Sequence, residues 1–266
     1  MKLLMMGDVV GKPGCEMLLE YLPKLRDAFL PDFIIVNGEN AADNGRGMTQ
    51  VIAKKWFEAG VDAITLGNHT WAKPEIFDFI DNEPRLIRPL NYPIGTPGQG
   101  FSLFTTVQGQ QIAVISLLGR TYMSSLLRCP FVAVEQALQQ IPSSAIVVVD
   151  FHAETTSEKQ SLAWYLDGRV SAVIGTHTHV QTADERILQH GTAYITDVGM
   201  VGPYDGVIGM EKEAVVRRFL TQLPVRLKVA GGRHQLNAVY LEIDPTSKKT
   251  KKINRIQIDD NHPFID

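Results

Sequence analysis

The chain has only two cysteines, Cys15 and Cys129, and neither belongs to a Cys-x-x-Cys motif. A single pair provides no disulfide framework, so a reducing, cytoplasmic setting is expected. An excess of either charge is also missing: 26 Lys and Arg stand against 29 Asp and Glu, a formal net charge of -3. That balance argues against an extended nucleic-acid surface but admits a single nucleotide. No apolar run is long enough to cross a bilayer, so no membrane partner is expected. The opening Met1-Lys2-Leu3-Leu4-Met5-Met6 is interrupted by Gly7 and Asp8 and is too short for a signal sequence. Linkers, repeats and low-complexity segments are lacking, which leaves one domain over 1–266, with homo-oligomerisation left open.

What is present is ordinary for a soluble globular protein with a large core: 44% hydrophobic and 21% charged residues. The first half alternates strand and helix patterns. Leu3 to Met6, Phe33 to Val36, Asp62 to Leu66, Ala145 to Val149 and Val170 to Ile174 are short apolar runs, read as buried strands. Between them, Met17, Leu18, Tyr21, Leu22 and Leu25 recur at helical spacing, and Thr49 is placed to cap a helix through Val51, Trp56 and Phe57. Helices are expected over Glu75 to Ile80, Val132 to Ile141, Ser157 to Leu166 and Glu211 to Leu220. Phe101 to Val107 and Gln111 to Leu117 read as a hairpin, and Arg186 to Leu188 and Ala193 to Ile195 flank a turn at His190-Gly191. Val225 to Val229, Gln235 to Ile243 and Ile253 to Ile258 read as antiparallel strands, with Thr246 to Lys252 as a solvated turn. The alternation implies parallel strands between helices, and the hairpins imply a second, mixed or antiparallel sheet.

The strand ends carry the chemistry. Gly175-Thr176-His177-Thr178-His179 follows one strand, and in extended chain His177 and His179 would point the same way. Asp8, Glu39-Asn40, Asn68-His69 and His152 end four others. On one edge of a parallel sheet these ends converge, where open α/β sheets bind ligands. The set offers two carboxylates, two amides and four imidazoles with no thiolate. Such O/N donors suit iron, manganese or another divalent metal rather than structural zinc, and they are too many for one ion. Taken singly, each has an ordinary alternative: Asp8 as a helix cap, Glu39 and Asn40 ordering their loop, Asn68 in a left-handed turn, His152 as a core histidine. Jointly, the metal reading is the stronger one.

Asp8, Gly67-Asn68-His69, His152 and Gly175-Thr176-His177-Thr178-His179 resemble the calcineurin-like metallophosphoesterase signature. The chain departs from it at Val10 (where a histidine belongs), at Glu39 (in place of Asp) and at Thr70 (in place of an acid). These departures match the YmdB-type 2',3'-cyclic-nucleotide 2'-phosphodiesterase family. So do the blocks Gly7 to Gly11, Asn37 to Ala42, Gly67 to Trp71, Phe151 to Glu154 and Gly175 to Asp184. The resemblance implies an α/β metallophosphoesterase sandwich of two mixed β-sheets flanked by helices. It implies two divalent or trivalent metal ions, one held by Asp8, Glu39, Asn40 and His179, the other by Glu39, Asn68, His152 and His177. Asn40 then makes up for the histidine lost at Val10. Iron is the metal described for the family, and manganese suits the same donors.

On that resemblance the expected substrate is a small phosphodiester: 2',3'-cyclic nucleotides, with 3',5'-cyclic AMP as a further one. A hydroxide bridging the two metals would attack phosphorus, and His69 is the candidate proton donor to the leaving alkoxide. A phosphomonoesterase on a small phosphate ester and a metal-binding regulatory protein with weak activity are the competing readings. An amidohydrolase barrel, which also uses His-x-His, is not expected: there the pair sits on the first strand, whereas His177 and His179 come late, with too little chain after them for the barrel that should follow. Asp197 or Asp205 are candidates to orient a ligating histidine. Arg46, Trp71, Lys159 and Tyr204 lie in the relevant loops, but the sequence does not single out substrate-binding residues.

Overall fold

The computed structural model describes residues 1–123 and 126–264. In chain order its elements are β1 (Lys2–Met6), β2 (Asp8–Val9), α1 (Gly11–Phe29), β3 (Phe33–Asn37), α2 (Gln50–Ala59), β4 (Ala63–Thr65), β5 (Leu86–Ile87), β6 (Phe101–Thr105), β7 (Gln111–Leu118), α3 (Pro130–Leu138), β8 (Ile146–His152), α4 (Thr156–Leu166), β9 (Ala172–Thr176), β10 (Arg186–Ile187), β11 (Ala193–Ile195), β12 (Met200–Pro203), α5 (Lys212–Thr221), β13 (His234–Ile243) and β14 (Thr250–Ile258).

Eight strands form one mixed sheet in the order β2-β12-β13-β1-β3-β4-β5, with β14 on the far side of β13. Within it β1, β3, β4 and β5 run parallel, and β13 lies antiparallel to both β1 and β12. The second sheet, β10-β11-β9-β8-β7-β6, is parallel in its centre and antiparallel at both edges. Leu3, Met5 and Ile35 of the first sheet pack against Ile112, Val148 and Ile174 of the second. The alternate residues Leu4, Met6 and Val36 pack against Leu18, Leu22 and Leu25 of α1 and Trp56 of α2. Val147, Val149 and Val173 do the same with Leu162 and Leu166 of α4. Both faces of the central strands are therefore covered, which is why their sequences are continuously apolar instead of alternating. Two mixed sheets flanked by helices is the architecture expected from the sequence.

Several local expectations hold. Thr49 caps α2, its hydroxyl accepting from Ile52 N at 3.3 Å. β6 and β7 form the expected hairpin, and β10 and β11 pair across the His190-Gly191 turn. Others are corrected. Glu75 to Ile80 is not an α-helix but two short 3-10 turns, Pro74–Asp78 and Ile80–Asn82, in a segment bounded by Pro74 and Pro84. Val225 to Val229 forms no strand beyond a single bridge from Val229 to Met210. Its alternation instead turns Leu227 and Val229 toward a small apolar cluster. The lysine-rich turn closes earlier than expected, because Thr250, Lys251 and Lys252 already belong to β14. Three short strands are not legible in the sequence: β2 in the turn after β1, β5 in the proline-rich stretch and β12 in the glycine-rich loop. Among the described residues, no helix is long and apolar enough to cross a membrane.

Gly14 is where α1 meets β12. A Cβ at this position would lie 2.3 Å from Val201 O, a backbone atom that cannot rotate away. Alanine is favoured over glycine inside a helix by about 1 kcal/mol, whereas forcing an atom into a packed contact costs about 1–3 kcal/mol. The packing term wins, so Gly14→Ala should destabilise the protein despite its better helix propensity. Thermal unfolding should show a lower Tm, by roughly 2–4 °C for each kcal/mol lost. An unchanged or higher Tm would mean that α1 can slide on the sheet.

Candidate metal centre

From sequence, every strand end is expected on one sheet edge. The structure divides them. Asp8, Glu39-Asn40 and Asn68-His69 follow β1, β3 and β4 of the first sheet, while His152 ends β8 and His177 follows β9 of the second. The two sheets face each other, so their strand ends meet across the inter-sheet core. One nitrogen lies at the junction. His152 Nε2 is 3.1 Å from Glu39 Oε1, 3.0 Å from Asn68 Oδ1 and 3.0 Å from His177 Nδ1. Glu39, His152 and His177 accordingly form a group able to hold a metal ion.

His177 and His179 also converge differently from expected. β9 stops at Thr176, and both histidines have positive φ, 102° and 66°. The segment is a strained bend, not extended chain. Three contacts hold it. His177 N donates to Asp8 Oδ2 at 3.1 Å, Thr178 N donates to Asp197 Oδ2 at 2.9 Å, and His179 Nδ1 donates to Ile208 O at 3.0 Å. That last bond leaves His179 Nε2 as the free nitrogen, 4.0 Å from Asp8 Oδ1.

Asp197 itself is held by the fully buried Lys159, whose ammonium donates to it at 2.8 Å. Lys159 is thus part of the scaffold beneath the bend and not a substrate contact. Asp205 pairs with Arg233 at 2.6 Å and orients no histidine. Asp197 orients the backbone of the bend and no imidazole. Of the other loop residues, Trp71 is stacked on Phe77 and Tyr204 lies against the Arg233 guanidinium, while Arg46 is exposed.

Sequence reasoning missed Asp150. Buried between the sheets, it accepts from Thr176 Oγ1 at 2.7 Å, and Thr176 Oγ1 in turn accepts from His152 Nδ1 at 2.9 Å. In the neutral ring this chain keeps the hydrogen on Nδ1 and turns the Nε2 lone pair to the junction. The available signal was spacing: Asp150 and His152 are two apart on β8 and share a face.

Charge in the centre is uneven. Burial raises the Asp8 carboxyl to about 6, against the pull of His152 and His179. Burial would raise Glu39 as well, but His152 and His69 hold it well below the usual carboxylate range. Burial alone would lower His152, yet Glu39 and Asp8 push it up to about 9. His177 is pulled down to about 3 by burial and by its neighbour His152. His152 thus stands between the two carboxylates of the centre, Glu39 and Asp8.

The donors fit a metal. Asp8 Oδ1 and Asn40 Oδ1 are buried without any hydrogen-bond partner, which is costly for oxygens unless a cation meets them. Asn40 Nδ2 donates to Gly45 O at 2.8 Å, which leaves that Oδ1 free. The departures from the family signature are also accounted for. Val10 is buried with Met200, Met210 and Val215, and the Thr70 hydroxyl donates to Gly67 O at 2.6 Å within its own turn. His69 N donates to Glu39 Oε2 at 2.9 Å, and its Nδ1 lies 3.0 Å from Glu39 Oε1. Its side chain is 28% exposed, the most open of the imidazoles at the centre.

The chain is similar to known proteins. A family model described as YmdB-like protein matches residues 4–256. Over 267 aligned residues, covering all of both chains, the sequence is 53% identical to a Bacillus subtilis (strain 168) protein named 2',3'-cyclic-nucleotide 2'-phosphodiesterase. The structure of a hypothetical protein from Thermus thermophilus superposes with a TM-score of 0.91 at 41% identity, covering 97% of this chain and 99% of that one. A structure from Mycoplasma pneumoniae described as a novel phosphatase superposes with a TM-score of 0.92 at 37% identity, covering 97% and 93%. The fold is therefore the calcineurin-like metallophosphoesterase sandwich. With a family match over most of its length and a relative of that identity, the chain belongs to the YmdB-like protein family.

Proposed function

We propose that this protein is a metal-dependent phosphoric diester hydrolase acting on cyclic nucleotides, chiefly 2',3'-cyclic nucleotides. The observation that carries the reading is the junction at His152 Nε2, where Glu39, Asn68 and His177 donors lie within 3.1 Å. The substrate class is supported by the name of the Bacillus subtilis relative. Asp8, Glu39, Asn40 and His179 would hold one ion, and Glu39, Asn68, His152 and His177 a second. Iron and manganese both suit these donors. Bound ions would supply an activated water and offset charge on the phosphoryl oxygens. Because both sheets contribute donors, the chain works as one domain.

The protein's own residues do the rest. Asp150 and Thr176 hold His152 in one tautomer. Asp197 and Lys159 hold the bend that carries His177 and His179. Glu39 accepts from His69 at Nδ1, which orients the ring, and when the ring is the doubly protonated imidazolium its Nε2–H is the proton passed to the leaving alkoxide, leaving a neutral imidazole with its hydrogen on Nδ1.

The substrate reading is tested with a hydrolysis panel on metal-analysed protein. Elemental analysis should approach two ions per chain, and 2',3'-cyclic nucleotides should turn over faster than p-nitrophenyl phosphate. Turnover of monoesters alone would remove the diesterase assignment.

Two substitutions separate the roles of neighbours. Glu39→Ala should deplete metal, because it removes the carboxylate shared by both sets. His69→Ala should retain metal and lose about 10²–10⁴-fold in kcat/KM on a cyclic nucleotide, with a smaller loss on bis(p-nitrophenyl) phosphate, whose leaving group needs little protonation. Equal losses on both substrates would assign His69 to positioning.

Metal uptake should also depend on pH in a set direction. His152, raised to about 9, must lose its proton before Nε2 can ligate, so binding near neutrality expels a proton. Affinity should rise as pH increases toward 9 and fall further below about 6, where Asp8 also protonates. Manganese titration at several pH values, with proton release followed in weak buffer, checks this. A flat affinity across that range would contradict it.

A further inference from the structure

We propose that Glu154 is a positioning residue of this centre, the carboxylate that decides which nitrogen of His177 faces the metals. The inference rests on the metal-centre reading above. Glu154 lies two residues beyond the end of β8, and its Oε2 is 3.0 Å from His177 Nε2. It is not among the seven donors assigned to the ions. The opposite edge of the same ring, at Nδ1, lies 3.0 Å from His152 Nε2 and points into the donor cluster.

A neutral imidazole has one donor nitrogen and one acceptor nitrogen. An ionised carboxylate can only accept, so Glu154 requires the hydrogen on His177 Nε2 and leaves the Nδ1 lone pair directed inward. His152 is set the other way round, with Nδ1 hydrogen-bonded to Thr176 and Nε2 inward. His179 is set by Ile208 O at Nδ1. Each ligating ring therefore has one outer oxygen that fixes its tautomer. For His152 that oxygen is buried, and for His179 it belongs to the backbone. For His177 it is a side chain that is 50% exposed. An outer partner of this kind is worth typically 10–100-fold in metal affinity. As a half-exposed pair it adds little to stability, which keeps the two effects separable.

The experiment uses the full chain with Glu154→Ala and Glu154→Gln. Manganese affinity is measured by chelator competition, and the His177 tautomer by ¹⁵N NMR on metal-free protein at a pH above 9, where His152 is neutral and no longer donates to His177 Nδ1. In the wild type, His177 should carry its hydrogen on Nε2. Glu154→Ala should mix the tautomers and weaken metal binding about 10–100-fold while Tm stays nearly unchanged. Glu154→Gln, which keeps an oxygen acceptor in place, should recover most of both. The proposal is overturned if Glu154→Ala leaves affinity within about twofold and the tautomer unchanged, or if Glu154→Gln is as impaired as Glu154→Ala. If the wild type bound no manganese, iron or zinc, the metal-centre reading would fail, and the proposal with it, whatever the tautomer result.

Discussion

Asp150 is the constraint on which the centre depends. It is fully buried, in a place where an ionised group is expensive, and burial raises its carboxyl above the ordinary value. Donors from both sheets compensate. Asn37 and Thr65 reach it from β3 and β4, and Thr176 from β9. The carboxylate therefore ties the two sheets together at the end where the metal donors meet, and through Thr176 it also fixes His152. Apolar packing between sheets is non-directional and sets their spacing only loosely. Hydrogen bonds to a buried charge are directional and stronger, about 1.5–3 kcal/mol each. They set the registration of one sheet on the other, and with it the distance from Glu39 to His152.

A second buried charge has a comparable task. The bend at His177 and His179 holds two residues in sparsely populated backbone regions, each costing on the order of 1–3 kcal/mol. The Lys159–Asp197 pair meets the bend from beneath and takes the Thr178 N–H. Both carboxylates use their charge on structure rather than on the reaction. The charges left over for chemistry, Asp8 and Glu39, differ sharply in proton affinity although they share the centre, because two imidazoles hydrogen-bond to Glu39 directly, whereas Asp8 feels His152 and His179 only through space and faces Asp197 and Glu39 as well.

Much of this was legible in the sequence, for identifiable reasons. Buried parallel strands are short apolar runs, and polar groups collect at their carboxyl ends, so the candidates from Asp8 to His179 could be picked out before their positions were known. The geometry that joins them could not. Nothing local says that β8 and β9 belong to a different sheet from β1 and β3, because both faces of each sheet are covered and the strands look alike. The His177–His179 bend also escaped, since two non-glycine residues at positive φ go against propensity and are held only by Asp8, Asp197 and Ile208 from elsewhere in the chain. Lys159 resembled a loop cation because its partner lies far away in sequence. β12 was hidden by glycines whose role is close approach: a Cβ on Gly199, just before the strand, would lie 2.9 Å from Asn237 Cβ.

The strand order has a consequence for the nascent chain. Asp8, Glu39 and Asn68 leave the ribosome first, and the imidazoles of His152, His177 and His179 follow much later. The strands that flank Asp8 are later still, because β2 pairs with β12 and β1 is bordered by β13. A partly synthesised chain therefore offers oxygen donors without the nitrogens that hold transition metals firmly. An ion held by this set of donors would be captured only once β8 and β9 have emerged and the second sheet has closed on the first, late in the synthesis of the chain.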